Sequence, residues 1–197
     1  MIVPVEKALE KAVEVLKNGE IVVAPTDTLY GMLTDATSEE AVRRLYNIRR
    51  PSGKPFLILI PDETWINKLC LELPKGYEEL LKVEGLTLIL KTTCDKFSYI
   101  NKGSLAVRIP RKGFIKELLK TFAKPVVAPS VNPEGKKPAE TISEAVKYFG
   151  EKVSLYVDAG EIKGEPSTIL DLKEDIKIVR EGKVKKDAIE KILNRKL

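Results

Sequence analysis

The sequence predicts an α/β (α+β-like) fold: a single domain over residues 1–197, with a twisted mixed parallel and antiparallel sheet flanked by helices. Three observations support that expectation. Apolar runs of strand length alternate with stretches of helical periodicity along the whole chain. At 197 residues the chain is long enough to bury one ordinary core. No internal repeat and no linker of domain-dividing length interrupts the alternation.

Taken in order, Val5, Leu9, Ala12, Val13 and Leu16 recur at helical spacing, and Asn18-Gly19 supplies the stop. A β-branched run at 20–24 reads as a strand that ends at Pro25. Thr37 and Glu40 have capping-box spacing for a helix carrying Ala41, Val42, Leu45 and Ile48. The continuous apolar run 56–60 reads as a buried strand, and short helical stretches follow around 62–71 and 75–83. Strands are expected at 86–91 and 104–109, then a helix near 113–122, a strand at 125–128 and a loop at 129–140 rich in Pro, Gly and Lys. Thr141 and Glu144 form a second capping box opening the next helix. Strands near 154–157, 167–171 and 176–180 precede a basic helix at 185–195.

Composition excludes several chemistries. The chain has no histidine, which removes Ser-His-Asp and Cys-His catalysis and histidine-ligated zinc. Neither G-x-x-x-x-G-K-[ST] nor G-x-G-x-x-G occurs. Cys70 and Cys94 lack a Cys-x-x-Cys partner, so each reads as a buried free thiol. There is no run of 18 apolar residues, and the amino terminus alternates acid and base, so a cytoplasmic protein without membrane contact is expected. Glutamine is absent, and Lys and Glu dominate the charges, a composition that suits a thermophile. A net charge of +5 and a pI near 9.0 fit either an anionic partner, nucleotide or RNA, or a lysine-rich solvated surface.

Five polar clusters could do chemistry. In Pro25-Thr26-Asp27-Thr28-Leu29-Tyr30-Gly31, hydroxyl, carboxylate and hydroxyl follow the end of a strand, where α/β proteins bind ligands, although the same residues favour turns. Arg49, Arg50 and Lys54 close a helix, so they either complement its dipole or clamp phosphates. Strand alternation puts Ser104, Ala106 and Arg108 on one face, so that Arg108 is either at an edge or on the floor of a carboxylate pocket. Ala128-Pro129-Ser130-Val131-Asn132 repeats the opening logic of apolar strand, proline and small polar groups. Ser167-Thr168 begins a strand with two hydroxyls.

Together these clusters resemble the YrdC family, the threonylcarbamoyl-adenylate synthases, in order from about residue 10 to 182. Residues 25–31 resemble its Pro-Thr-Asp/Glu-Thr-x-Tyr/Phe-Gly signature. Arg50-Pro51 with Lys54-Pro55 resembles its Lys-x-Arg-Pro…Lys-Pro element, and Ala106-Val107-Arg108 its Val/Ala-Val-Arg strand. Ser130-Val131-Asn132 is similar to Ser-Ala-Asn, and Asp158-Ala159-Gly160, Ser167-Thr168 and Arg180-Glu181-Gly182 are similar to the closing block. Three positions depart from the pattern. Counted forward from Gly31 the family lysine falls on Arg49, and counted back from Pro51 the family arginine falls on Arg50, which leaves open which cation meets which phosphate. Glu134-Gly135 stands where the family has Ser-Gly, and Leu59 where some relatives have histidine.

The resemblance implies an enzyme, a nucleotidyltransferase of the short form without a further carboxyl-terminal domain. It would join L-threonine, bicarbonate and ATP into threonylcarbamoyl-AMP and pyrophosphate. The product would feed a threonylcarbamoyl transferase that modifies the adenosine at position 37 of tRNAs reading ANN codons. The resemblance assigns Thr28, Arg108, Ser130 and Ser167 to threonine. To ATP it assigns Arg50, Lys54, Ser104, Asn132 and Arg180, with Thr141 and Arg49 as secondary candidates. Mg²⁺ is expected to arrive on the nucleotide, because the sequence offers no carboxylate cage. The carbamate nucleophile is anionic, so the reaction needs alignment and charge neutralisation more than a base. Two rivals stand beside this reading. One is an RNA-binding or ribosome-associated module built on Arg43, Arg44, Arg49, Arg50 and Lys54, against which the 6% aromatic content counts. The other is a carbamoyl-transfer enzyme, against which the lack of zinc-finger cysteines counts.

Overall fold

The computed structural model describes residues 1–197. Eleven strands form one mixed sheet: β1 (Ile2–Pro4), β2 (Val22–Pro25), β3 (Tyr30–Asp35), β4 (Leu57–Leu59), β5 (Leu71–Glu72), β6 (Leu86–Thr92), β7 (Ser104–Arg108), β8 (Val126–Val127), β9 (Leu155–Asp158), β10 (Thr168–Asp171) and β11 (Lys177–Arg180). Six α-helices interleave with them: α1 (Leu9–Lys17), α2 (Glu39–Arg49), α3 (Trp65–Lys68), α4 (Gly113–Phe122), α5 (Ile142–Phe149) and α6 (Lys186–Leu193). The strand order is β1-β9-β2-β3-β8-β4-β7-β6-β10-β11, with β5 hydrogen-bonded to β6. Pairing is parallel at β1–β9, β2–β9, β4–β7 and β6–β10, and antiparallel elsewhere. No helix is long and apolar enough to cross a membrane.

The central strands are apolar on both faces because both faces are covered. Val23, Met32, Ile58 and Val107 point into a core closed by Val42 and Leu45 of α2 and by Ala145 of α5. Val22, Ala24, Leu59 and Val126 point the other way, onto Ala12 and Leu16 of α1 and Ile115 and Leu119 of α4. Each large aliphatic side chain so buried contributes about 1.5–3 kcal/mol. α5 begins at the capping box read from the sequence. The Thr141 hydroxyl accepts the Glu144 N–H at 3.2 Å, and the Glu144 carboxylate accepts the Glu140 N–H at 2.8 Å.

Four expectations need correction. The free-thiol reading fails, because Cys70 and Cys94 form a disulfide across 24 residues, their Cα atoms 5.9 Å apart. The cause is a long-range pairing: β5 lies antiparallel to the end of β6, with Leu71 opposite Thr92, and this sets Cys70 beside Cys94. Residues 30–35, which the sequence pattern assigns to no element, form β3 at the centre of the sheet. Gly31 suits that strand because a Cβ there would lie 2.9 Å from Thr26 Cγ2. The cap of α2 is Ser38 and not Thr37. Asp35 Oδ1 accepts both the Thr37 N–H at 2.8 Å and its hydroxyl at 2.6 Å, which takes that hydroxyl out of play. The helices expected around 62–71 and 75–83 shrink to α3 and a 3₁₀ turn at Glu78–Lys82.

Candidate active site

The hairpin between β2 and β3 is the first wall of the site. Thr26 Oγ1 accepts the Thr28 and Leu29 N–H groups, each at 3.2 Å, and this tight turn presents the Thr28 side chain outward. Beside it opens a cleft of about 710 Å³. Residues 128–130 beyond β8, the strand face Ser104, Ala106 and Arg108, the segment 164–169 and the end of β11 complete its lining, with Arg50 and Phe56 at one side. Leu105 and Val107, between the cleft-facing positions of β7, are core residues. The strand period therefore delivers serine, alanine and arginine to the cleft together.

Arg108 is 2% exposed. Its Nε and Nη2 donate to Asp27 Oδ1 at 3.2 and 2.9 Å, Nη2 also reaches Thr28 Oγ1 at 3.4 Å, and Nη1 donates to Thr87 Oγ1 at 3.3 Å. Burial lowers its pKa from the usual arginine value, and the Asp27 carboxylate opposes that shift. Four of its five N–H groups are thus engaged, which leaves one on Nη1. Thr87 passes the chain onward, its hydroxyl donating to Ser167 Oγ at 2.9 Å. Arg180 closes it from the other side, donating to the Ser167 carbonyl at 3.1 and 2.8 Å and to Ser167 Oγ at 3.3 Å. Burial and then the charge of Arg108 hold Arg180 below the ordinary arginine pKa. Ser167 Oγ accepts two hydrogen bonds, so its own proton is free for a ligand oxygen.

Ser130 has the opposite polarity. Its hydroxyl proton goes to Asn132 Oδ1 at 2.7 Å and its oxygen accepts from Arg49 Nη2 at 3.4 Å, which leaves one lone pair for the cleft. Arg49, 3% exposed, donates to the Ser130 carbonyl at 2.9 Å and to Asn132 Oδ1 at 3.0 Å. Its pKa falls to about 10, first from burial and then from the charge of Arg50. Arg50 lies over the Phe56 ring at 5.2 Å, and Phe56 stacks on Tyr46 at 4.1 Å.

The structure therefore brings Thr28, Arg50, Ser104, Arg108, Ser130, Ser167 and Arg180 into one cleft. Asn132 and Arg49 stand behind Ser130, outside the lining. Lys54 is exposed, 3.9 Å from Glu134, and Thr141 caps α5; neither lines the cleft. Sequence reasoning missed Thr87, Gly164, Lys137 and Lys173. Thr87 gave a faint signal as a lone polar residue in the apolar run 86–90. Gly164 lies so close to the Thr28 carbonyl that a Cβ there would be 2.2 Å from it. Tyr30 holds the same loop, donating to the Gly160 carbonyl at 2.7 Å and accepting the Ala159 N–H at 3.0 Å. The cations Arg50, Arg108, Lys137, Lys173 and Arg180 face a single lining carboxylate, Glu140, which Lys137 neutralises at 2.6 Å. No group of three carboxylate, cysteine or histidine side chains is placed to hold a metal ion.

A two-faced mixed sheet whose strand ends deliver hydroxyls and guanidiniums to one cationic cleft defines a class of α/β protein with the charge and donors to receive small anionic ligands. The Sua5–yciO–yrdC family model, described as telomere recombination, matches residues 14–182. The chain belongs to that family. A Methanocaldococcus jannaschii protein provisionally named threonylcarbamoyl-AMP synthase is 36% identical over 186 residues, covering 90% of this chain and 88% of its own. The threonylcarbamoyl-AMP synthase of Pyrococcus abyssi is 31% identical over 186 residues, covering 90% of this chain and 55% of its own. The crystal structure of P. abyssi Sua5 complexed with L-threonine superposes with a TM-score of 0.89 at 28% identity, covering 98% of this chain. This chain spans 60% of that structure's length.

Proposed function

We propose that this chain is an L-threonylcarbamoyladenylate synthase, a nucleotidyltransferase that makes threonylcarbamoyl-AMP and pyrophosphate from L-threonine, bicarbonate and ATP. The observation that carries the reading is the convergence of Thr28, Arg108, Ser130 and Ser167 with Arg50, Ser104 and Arg180 on one cleft. The remaining Nη1 hydrogen of Arg108 and the free proton of Ser167 together suit a carboxylate, in a charge-assisted arrangement. Thr28 and the remaining lone pair of Ser130 are placed to accept from the amine and hydroxyl of the same amino acid.

In the reaction the threonine amine adds to bicarbonate with loss of water, giving a carbamate. A carbamate oxygen then bonds to the α-phosphorus of ATP as the bond to the bridging oxygen breaks and pyrophosphate leaves. The nucleophile is an anion, so the absence of histidine is no obstacle. The protein's task is to align two negative reactants and neutralise the polyphosphate, for which Arg50, Ser104 and Arg180 stand in the cleft wall. Lys54 reaches the polyphosphate after leaving Glu134, while Asn132 and Arg49 act from behind by fixing Ser130. Mg²⁺ enters as MgATP. The product then serves tRNA threonylcarbamoylation through a downstream transferase in the cytoplasm.

Incubation with MgATP, labelled bicarbonate and each amino acid in turn tests the reading. Labelled adenylate and pyrophosphate are expected with threonine. Pyrophosphate release that depends on neither threonine nor bicarbonate would overturn it.

A further inference from the structure

We propose that Asp27, which contributes nothing to the cleft wall, is the positioning residue of its amino-acid end: it fixes the Arg108 guanidinium in the orientation that meets a substrate carboxylate. The inference rests on the threonine reading above. The Asp27 side chain is 0% exposed and makes the buried partner of Arg108, with one oxygen taking two N–H groups at 2.9 and 3.2 Å. That contact runs along the Nε–Nη2 edge. It leaves Nη1, off that edge, to Thr87, while Arg108 itself lines the cleft. A flexible arginine with no partner samples several rotamers, and a ligand must then order it at an entropic cost. Asp27 removes that cost in advance.

Asp27 is itself anchored. Lys183, in the connection from β11 to α6, donates to the Asp27 main-chain oxygen at 2.9 Å while paired with Glu84 at 2.6 Å. The other Asp27 oxygen, Oδ2, is buried without any donor. Stability alone is better served by a fork that uses both oxygens. One side of the carboxylate is left unpaired where Arg108 is held edge-on. The charged groups around this end are Asp27, Arg108, Arg180 and Lys183, with Arg50 and the Lys137–Glu140 pair farther along the cleft lining.

Two effects of opposite sign compete when Asp27 is changed. Removing the Asp27 charge leaves Arg108 and Arg180 facing each other without an anion, which by itself draws a substrate carboxylate in more tightly. Removing the two hydrogen bonds frees the guanidinium, which weakens binding. If Asp27 is a positioning residue, the second effect wins.

Titration calorimetry of the full chain with threonine alone and with MgATP alone separates these cases. Asp27→Ala, which removes both acceptors as well as the charge, is expected to weaken threonine binding at least about tenfold and to change MgATP binding less than about twofold. Asp27→Glu, which keeps a carboxylate, is expected to return threonine affinity to within about threefold of the parent. Equal or tighter threonine binding by Asp27→Ala would overturn the proposal, as would equal losses for both ligands. Should Asp27→Ala not fold, Lys183→Met loosens the same anchor, and unchanged threonine affinity in that variant would overturn it too. If the parent chain itself binds no threonine, the functional reading fails instead, a distinct result.

Discussion

Replacing Gly164 by alanine tests the cleft with a single methyl group. The glycine is not among the positive-φ residues, so alanine there meets no backbone penalty of that kind. Its whole effect comes from space. The new Cβ would sit 2.2 Å from the Thr28 carbonyl oxygen and 3.3 Å from its carbon. A comfortable carbon–oxygen contact is about 3.3 Å, so loop 159–167 or the Thr28 turn must move by roughly 1 Å. The loop is held by Tyr30, and the turn by the bonds to Thr26 Oγ1, so neither moves freely. Displacement of a substrate-positioning group by about 1 Å costs on the order of 100-fold in rate. Threonine-dependent pyrophosphate release should therefore lose roughly that factor in kcat/KM, while circular dichroism stays that of the parent. Gly150→Ala is the control. Gly150 has φ +50 and ψ −126, and a methyl group added there would meet no atom within 4 Å, so alanine should cost about 1–3 kcal/mol of stability through backbone strain and leave turnover alone. Parental kcat/KM in Gly164→Ala would show that the wall yields freely and that this contact does not set turnover.

Other outcomes follow from the same contacts. Arg108→Ala should abolish threonine-dependent turnover and, by leaving Asp27 buried and unpaired, cost roughly 3–5 kcal/mol in urea denaturation; adding Asp27→Ala should recover much of the stability and none of the turnover. Glu134 accepts from the Ser52 hydroxyl at 2.6 Å and lies 3.9 Å from Lys54, so Glu134→Gln should lower the KM for ATP about threefold at low salt and less at high salt. Converting Cys70 and Cys94 to serine opens a loop closed across 24 residues and should destabilise the fold by about 3.5 kcal/mol, read as a shift in the denaturation midpoint. Burial pushes the Tyr99 and Tyr156 phenols up to about 12 from 10.0. The unfolded chain releases those protons first, so stability is complete below pH 10, falls as pH rises toward 12, and should fall less steeply after Tyr99→Phe and Tyr156→Phe in melting curves.

Local signals carried much of the architecture. The capping box at Thr141 and Glu144 is a contact between near neighbours, and the sharing of one face by Ser104, Ala106 and Arg108 needs only the strand period. What stayed hidden depends on residues far apart in the chain. β3 begins at Tyr30-Gly31 and lacks strand alternation; its place between β2 and β8 comes from pairing with Val126 and Val127. Cys70 meets Cys94 only because β5 folds back on β6. The adjacent cations Arg49 and Arg50 look interchangeable in sequence. The end of α2 separates them, turning Arg49 inward to Ser130 and Asn132 and Arg50 outward over Phe56. Asp27 stood out as part of a polar cluster and Thr87 as a lone polar residue, but their contacts were hidden for the same reason, since each bonds Arg108, 81 and 21 positions away.

The chain of hydrogen bonds from Arg108 through Thr87 and Ser167 to Arg180 spans both proposed binding regions. A ligand at either end stiffens donors that the ligand at the other end requires. Such an arrangement couples the two affinities, and by linkage any factor by which nucleotide tightens amino-acid binding must reappear when the order of addition is reversed. Thr87→Val, which cuts the middle of the chain, would uncouple the two partners while leaving each able to dock alone.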